Sequence, residues 1–166
     1  VMGGRDLAFG ASIGIALHRG GGGDGGELVR HADVAMYAAK EAGRGRTEVF
    51  HDDMDRELGE LLGFEHEMRL GLQRQEFTVH YQPEVALDGT SVVGVEALLR
   101  WNSPTRGSVP PSIFIPVAEA TGLIMPLGEF VMQEACEQTA RWRRDSVIQE
   151  PFNTWVNLSG KQLSAG

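Results

Sequence analysis

From Ser91 onward, segments of strand period alternate with segments of helix period, and this alternation most constrains what the chain can fold into. Ser91–Trp101 is a short apolar run of strand length that opens after the turn signal Asp88-Gly89. Pro104–Pro111 reads as a loop, Ser112–Glu119 and Leu127–Arg144 read as helices, and Thr154–Leu158 reads as a further strand. Ser159 has the chemistry of a helix N-cap. Strand, helix, helix, strand in this order implies βα units and a largely parallel sheet. Upstream, Phe77–Leu87 alternates with Phe77, Val79 and Tyr81 on one side until Pro83, which suits a strand near an edge or mouth.

The first third has a different texture. Residues 7–17 are small and apolar and read as a buried strand, and Gly20–Gly26 places six glycines around Asp24 as a flexible turn. Leu28, Ala32, Ala35, Met36 and Ala39 recur at three- and four-residue spacing, which predicts a helix over about Glu27–Ala42. Glu27 and Lys40 suit its dipole, and Gly43 can take the left-handed position after its end. Thr47–Phe50 is a short strand candidate. Residues 52–75 turn acidic, with Met54, Leu58, Leu61, Met68 and Leu72 on one helical face, and read as a helix connecting two domains. No internal repeat is visible.

A net charge of −8 excludes a broad nucleic-acid surface, which needs clustered Lys and Arg, but leaves room for an anionic ligand offset by a metal or a local Arg. With 42% hydrophobic and 23% charged residues, a real core is expected. Cys136 is the sole cysteine, so no internal disulfide forms and a reducing, cytoplasmic setting fits; its apolar helical surroundings suggest a buried thiol. No apolar run reaches about 18 residues, so no membrane segment is expected, and no signal peptide is visible. The five histidines form no ligand-like spacing, and Trp101, Trp142 and Trp155 are expected to pack rather than stack on bases. Glu119 and Glu134 are expected to face solvent.

Two resemblances sharpen this. Ala11-Ser12-Ile13-Gly14-Ile15-Ala16, Ala32-Asp33-Val34-Ala35-Met36-Tyr37-Ala38-Ala39-Lys40 and Gly43-Arg44 resemble the C-terminal end of GGDEF domains over about residues 7–50. The resemblance implies that Lys40 and Arg44 contact nucleotide phosphates, although a helix dipole alone accounts for cations there. The Gly-Gly-Asp/Glu-Glu-Phe signature is missing, Gly3-Gly4-Arg5-Asp6 is no substitute, and Gly45 stands where the family has Asn. Cyclase activity of this chain is not expected.

Tyr81-Gln82-Pro83, Val95-Glu96-Ala97-Leu98-Leu99-Arg100-Trp101, Phe114-Ile115-Pro116-Val117-Ala118-Glu119, Glu134-Ala135-Cys136 and Val156-Asn157-Leu158-Ser159 resemble successive landmarks of EAL domains, in family order. The resemblance implies an α/β fold, part of a TIM-like (β/α) barrel, preceded by the end of a GGDEF-type α/β domain. It implies a cyclic-di-GMP phosphodiesterase that uses Mg²⁺ or Mn²⁺ and yields linear pGpG. Glu96 and Asn157 would hold metal, and Gln82, Leu99 and Arg100 would face substrate. Hard divalent cations take oxygen donors, and the planar guanidinium of an Arg matches paired phosphate oxygens. Other readings remain for each residue: Glu96 as a core carboxylate paired with Arg100, Asn157 as a turn residue, Arg100 as a surface cation. The expected division is 1–51 as the end of a GGDEF domain, 52–75 as the connecting helix and 76–166 as the front of an EAL domain. The family's later acidic residues and its Lys fall outside this sequence, so the isolated chain is expected to be unstable and without turnover. The rival functions are a receptor that binds cyclic-di-GMP without cutting it, and an interaction module in which the acidic helix 52–75 pairs protomers or relays a signal from an upstream sensor. A homodimer through the EAL part or the connecting helix is also expected.

Overall fold

The computed structural model describes residues 10–18, 24–89, 91–148 and 151–164. The chain divides into two units, Val1–Phe64 and Glu65–Gly166.

In the first unit, β1 (Ile13–Ile15) and β2 (Thr47–Val49) pair in parallel, with Gly14 opposite Glu48. The crossover between them is α1 (Gly25–Glu41), capped by Asp24, whose carboxylate accepts from the Gly26 N–H at 3.0 Å. Val34 and Ala35 of α1 pack against Met54, with Ala38, Phe50 and Leu58 around them. A Cβ on Gly14 would collide with the backbone of Ala32 and Met36, so glycine lets the strand lie directly on the helix. The expected buried strand over 7–17 is corrected. Residues 7–9 lie outside the described residues, and Ile13 is 51% exposed. Alternation explains this: Gly14 faces α1, so Ile13 and Ile15 point the other way. Of the glycine tract, residues 20–23 also lie outside the described residues, while Gly25 and Gly26 begin α1.

The acidic stretch forms one helix, α2 (Asp53–Gln73), in spite of Gly59, Gly63 and Gly71. In the second unit, β3 (Phe77–Val85) pairs antiparallel with β4 (Val92–Ser103), Gln82 opposite Glu96 and Val79 opposite Leu99. The other edge of β4 carries two short strands. β5 (Gly107–Val109) pairs antiparallel at its end, and β6 (Asn153–Val156) pairs parallel along Gly94–Ala97. β5 lies within the expected loop 104–111, and the one parallel pair corrects the expectation of a largely parallel sheet. Among the described residues no closed barrel forms.

Two helices follow β5: α3 (Pro111–Thr121), closed by Gly122 at φ 80°, and α4 (Ile124–Arg144). α4 starts before the expected Leu127 because Pro126 falls in its first turn, where no N–H is required. Ala97 of the sheet packs on Val131 and Ala135 of α4, joined by Val79, Tyr81, Leu99, Phe130 and Val156. Trp101 is fully buried between Phe77 (ring centroids 5.3 Å) and Phe114 (6.1 Å), its N–H donating to Glu76 at 3.2 Å. Tyr81 meets Trp142 edge to face at 4.9 Å and donates its hydroxyl to the Glu134 carbonyl; burial pushes its phenol pKa up. Ala135 turns into this core, and Cys136, one position further around α4, is exposed, which corrects the expected buried thiol. A final turn, α5 (Gly160–Ser164), begins after Ser159, whose Oγ accepts from the Lys161 N–H at 3.1 Å.

Candidate functional site

A β-strand sends successive side chains to opposite faces, so β4 sorts its own residues. Val95, Ala97, Leu99 and Trp101 turn toward α4 and the aromatic cluster. Glu96, Leu98 and Arg100 turn to the other face. Residues directly opposite across a ladder share that face, which adds Gln82 and His80 from β3 and Trp155 from β6. Trp155 is 50% exposed there and donates to Glu84, so it is not a core residue like Trp101.

Asn157 follows β6 and reaches the same face. Its Nδ2 donates to Glu96 Oε1 at 2.6 Å. The carboxylate is therefore engaged by Asn157, and Glu96 and Arg100 form no ion pair among the described residues. Arg100 donates to the Leu99 carbonyl at 2.9 Å, a neutral partner that leaves its charge uncompensated. A cavity of about 250 Å³ opens beside it between the end of β4, α3 and α4, lined by Leu98, Leu99, Arg100, Glu119, Asn157 and Gln162, among others.

Three candidates thus come together: Glu96 and Asn157 in contact, and Gln82 directly across the ladder. Arg100 lies four residues beyond Glu96 on the same face. Leu99 divides from them, since it packs on the α4 side and meets the others only at the cavity. Leu98 is the leucine on the Glu96 face, and period-two alternation within the string Glu96–Arg100 is the signal that marks it. Glu119, expected to face solvent, accepts the Ser159 hydroxyl at 2.7 Å.

The donor set suits a hard divalent cation in part. A carboxylate and a side-chain amide in contact supply two oxygens once the amide turns its oxygen toward Glu96. Six-coordinate ions need more donors, and among the described residues no group of three or more His, Cys, Asp or Glu gathers for one. The remaining positions are open to water, phosphate oxygens or residues outside this sequence.

In the first unit, Lys40 is exposed in the last turn of α1, while Arg44 lies beyond the helix at φ 60° with its N–H donating to the Ala39 carbonyl at 3.1 Å. Gly43 is left-handed at φ 107°, as its position suggests. Because the helix ends at Glu41, Arg44 does not follow Lys40 along one helical face, and the four-residue spacing does not set their separation.

Residues 65–166 match the EAL domain family, and residues 2–46 match the family described as diguanylate cyclase, GGDEF domain. Cyclic di-GMP phosphodiesterase PdeR of Escherichia coli is 42% identical over 92% of this chain and 22% of its own length. Bifunctional diguanylate cyclase/cyclic di-GMP phosphodiesterase MucR of Pseudomonas aeruginosa is 42% identical over 96% of this chain and 23% of its own. The solved structure named PaMucR phosphodiesterase, c-di-GMP complex, superposes with a TM-score of 0.58 at 41% identity, covering 61% of this chain and 40% of that one. The chain therefore spans about a quarter or less of the length of these curated relatives. With its second unit matched from end to end and residues 2–46 matched to the companion domain, the chain belongs to the EAL domain family, preceded by a GGDEF-type segment.

Proposed function

We propose that the protein carrying this chain hydrolyses cyclic-di-GMP to linear pGpG with Mg²⁺ or Mn²⁺ held at Glu96 and Asn157. The observation that carries this reading is the 2.6 Å contact between Glu96 and Asn157, on a face shared with Gln82, Leu98 and Arg100. The relatives named as phosphodiesterases, and the cyclic-di-GMP complex of one of them, supply the substrate.

Hydrolysis adds water across one phosphodiester: the water oxygen bonds to phosphorus, the bond to the 3′-oxygen breaks, and that oxygen leaves protonated. A bound divalent ion supplies an activated water near neutral pH and stabilises the charge on attacking and leaving oxygens. The chain's residues hold the substrate for that step. Arg100 presents its fork to phosphate oxygens, Gln82 offers an amide beside the carboxylate, and Leu98 gives an apolar contact.

The same reading assigns residues 1–51 to the end of a GGDEF domain, 52–75 to a connecting helix and 76–166 to the front of the EAL domain; the unbroken helix α2 supports the middle assignment. Lys40 and Arg44 are assigned to nucleotide phosphate in the GGDEF part, supported by the exposure of both. A cytoplasmic setting is supported by the lone cysteine. No helix among the described residues is long and apolar enough to cross a membrane. Dimer formation through the EAL part or α2 is checked by light scattering over a concentration series.

The test is Mn²⁺-dependent conversion of cyclic-di-GMP by the protein expressed from its complete reading frame. Turnover that Glu96→Ala removes supports the proposal. Tight binding without turnover favours the receptor reading, in which Arg100-type contacts persist without a working metal centre.

A further inference from the structure

Asn157 sits in a three-residue connection, Asn157-Leu158-Ser159, between β6 and α5. Upstream, Val156 is fixed in the ladder opposite Ala97. Asn157 and Leu158 are themselves exposed, so packing does little to hold them. Downstream, Ser159 is held from three directions. Its hydroxyl donates to Glu119 Oε1 at 2.7 Å, its Oγ accepts from the Lys161 N–H at 3.1 Å, and its own N–H donates to Gln162 Oε1 at 2.9 Å. Lys161 adds a second tie to the same residue of α3, its Nζ donating to the Glu119 carbonyl at 2.6 Å.

The N-cap bond from Lys161 would form in any serine-capped helix. The bonds to Glu119 differ in kind, because they run 40 and 42 residues back along the chain and anchor the connection to α3. The Ser159–Glu119 bond is also partly buried at the wall of the cavity that Arg100 and Asn157 line, where a charge-assisted bond is stronger than in water.

We propose that Glu119 is a positioning residue: through Ser159 it fixes the end of the connection whose other end is the ladder, and so holds the Asn157 amide against Glu96. Glu119 itself touches neither Glu96 nor Asn157, and it acts only through the backbone between Asn157 and Ser159. The role rests on the reading of Glu96 and Asn157 as metal ligands. Groups that orient a ligand from behind cost about 10–100-fold in metal affinity when removed.

The experiment measures Mn²⁺ affinity, by the electron paramagnetic resonance of free Mn²⁺, on the protein expressed from its complete reading frame, with a melting curve for each variant. The Glu96→Ala variant first defines the Mn²⁺ site that depends on Glu96. At that site Glu119→Ala and Ser159→Ala are each expected to weaken binding by about 10–100-fold, and the double variant no more than either alone. Glu119→Gln, which keeps an oxygen for the Ser159 hydroxyl, is expected to stay within about threefold of the native protein. A purely structural Glu119 would lower the melting temperature and leave Mn²⁺ affinity unchanged, and that result overturns the role. Equal losses in Glu119→Gln and Glu119→Ala overturn it too. Should Glu119→Ala fail to fold, Ser159→Ala decides by the same criterion. If Glu96→Ala leaves Mn²⁺ binding intact, the metal reading itself falls, which separates that failure from the failure of Glu119 alone.

Discussion

At the scale of single residues, adjacent leucines in β4 are asked to do different work. Leu99 packs with Ala97, Val131 and Ala135, so Leu99→Ala is expected to destabilise by about 2 kcal/mol, the lower end for a buried leucine because it is only partly buried. Leu98 faces the Glu96 side, so Leu98→Ala is expected to leave the melting temperature within about 2 °C and to raise the KM for cyclic-di-GMP. Chemical denaturation paired with steady-state kinetics separates the two, and reversed effects would overturn the assignment of faces. Glu96 and Asn157 were legible in the sequence through the strings around them. Leu98 was missed: the family string pointed to Leu99, and only strand alternation says which leucine shares the Glu96 face. Glu119 was not legible, because helical periodicity cannot show that a chain segment 40 residues later returns to bond it. Cys136 likewise depends on which stripe of α4 meets the sheet.

Among elements, the link between α2 and the β4–β5 turn is electrostatic. Glu67 accepts from Arg106 at 2.8 and 2.9 Å and from the Thr105 hydroxyl at 3.0 Å, and these bonds, led by Arg106, hold its carboxyl pKa below the usual glutamate value. A lowered folded pKa means that the unfolded chain takes up the proton first as pH falls. The stabilisation is therefore present above the ordinary glutamate pKa and is lost as pH drops through the depressed one. Melting temperature followed downward from neutral pH should fall more steeply in the native protein than in Glu67→Gln; parallel curves would contradict this. Exposure of the pair keeps the effect modest. Trp101 is the opposite case: fully buried, ringed by Phe77 and Phe114 and bonded to Glu76, so Trp101→Ala should cost about 3–5 kcal/mol in a denaturant titration. Long periodic helices and the alternating β3 and β4 were readable from pattern. β5 was not, because three residues carry no period of their own and its strand character comes from pairing with β4. The exposed Ile13 and Ile15 show the same limit, since an apolar run signals a strand without saying which faces will be covered.

For the molecule as a whole, the two resemblances read in the sequence correspond to two family matches, and the second gives the fold class of its unit. Strand order was less accessible: helices between strands suggest parallel pairing, yet β4 pairs antiparallel with β3 and β5 and parallel only with β6. The proposed function makes the face carrying Gln82, Glu96, Leu98, Arg100 and Asn157 a metal-dependent phosphodiesterase centre. The most direct measurement is chromatographic analysis of cyclic-di-GMP incubated with Mn²⁺ and the protein expressed from its complete reading frame, beside its Glu96→Ala variant. Linear pGpG is expected from the native protein, with a loss of more than about 100-fold in the variant, beyond what removal of an outer hydrogen-bond partner costs. Cyclic-di-GMP recovered intact from the native protein, or equal turnover by both proteins, would contradict it.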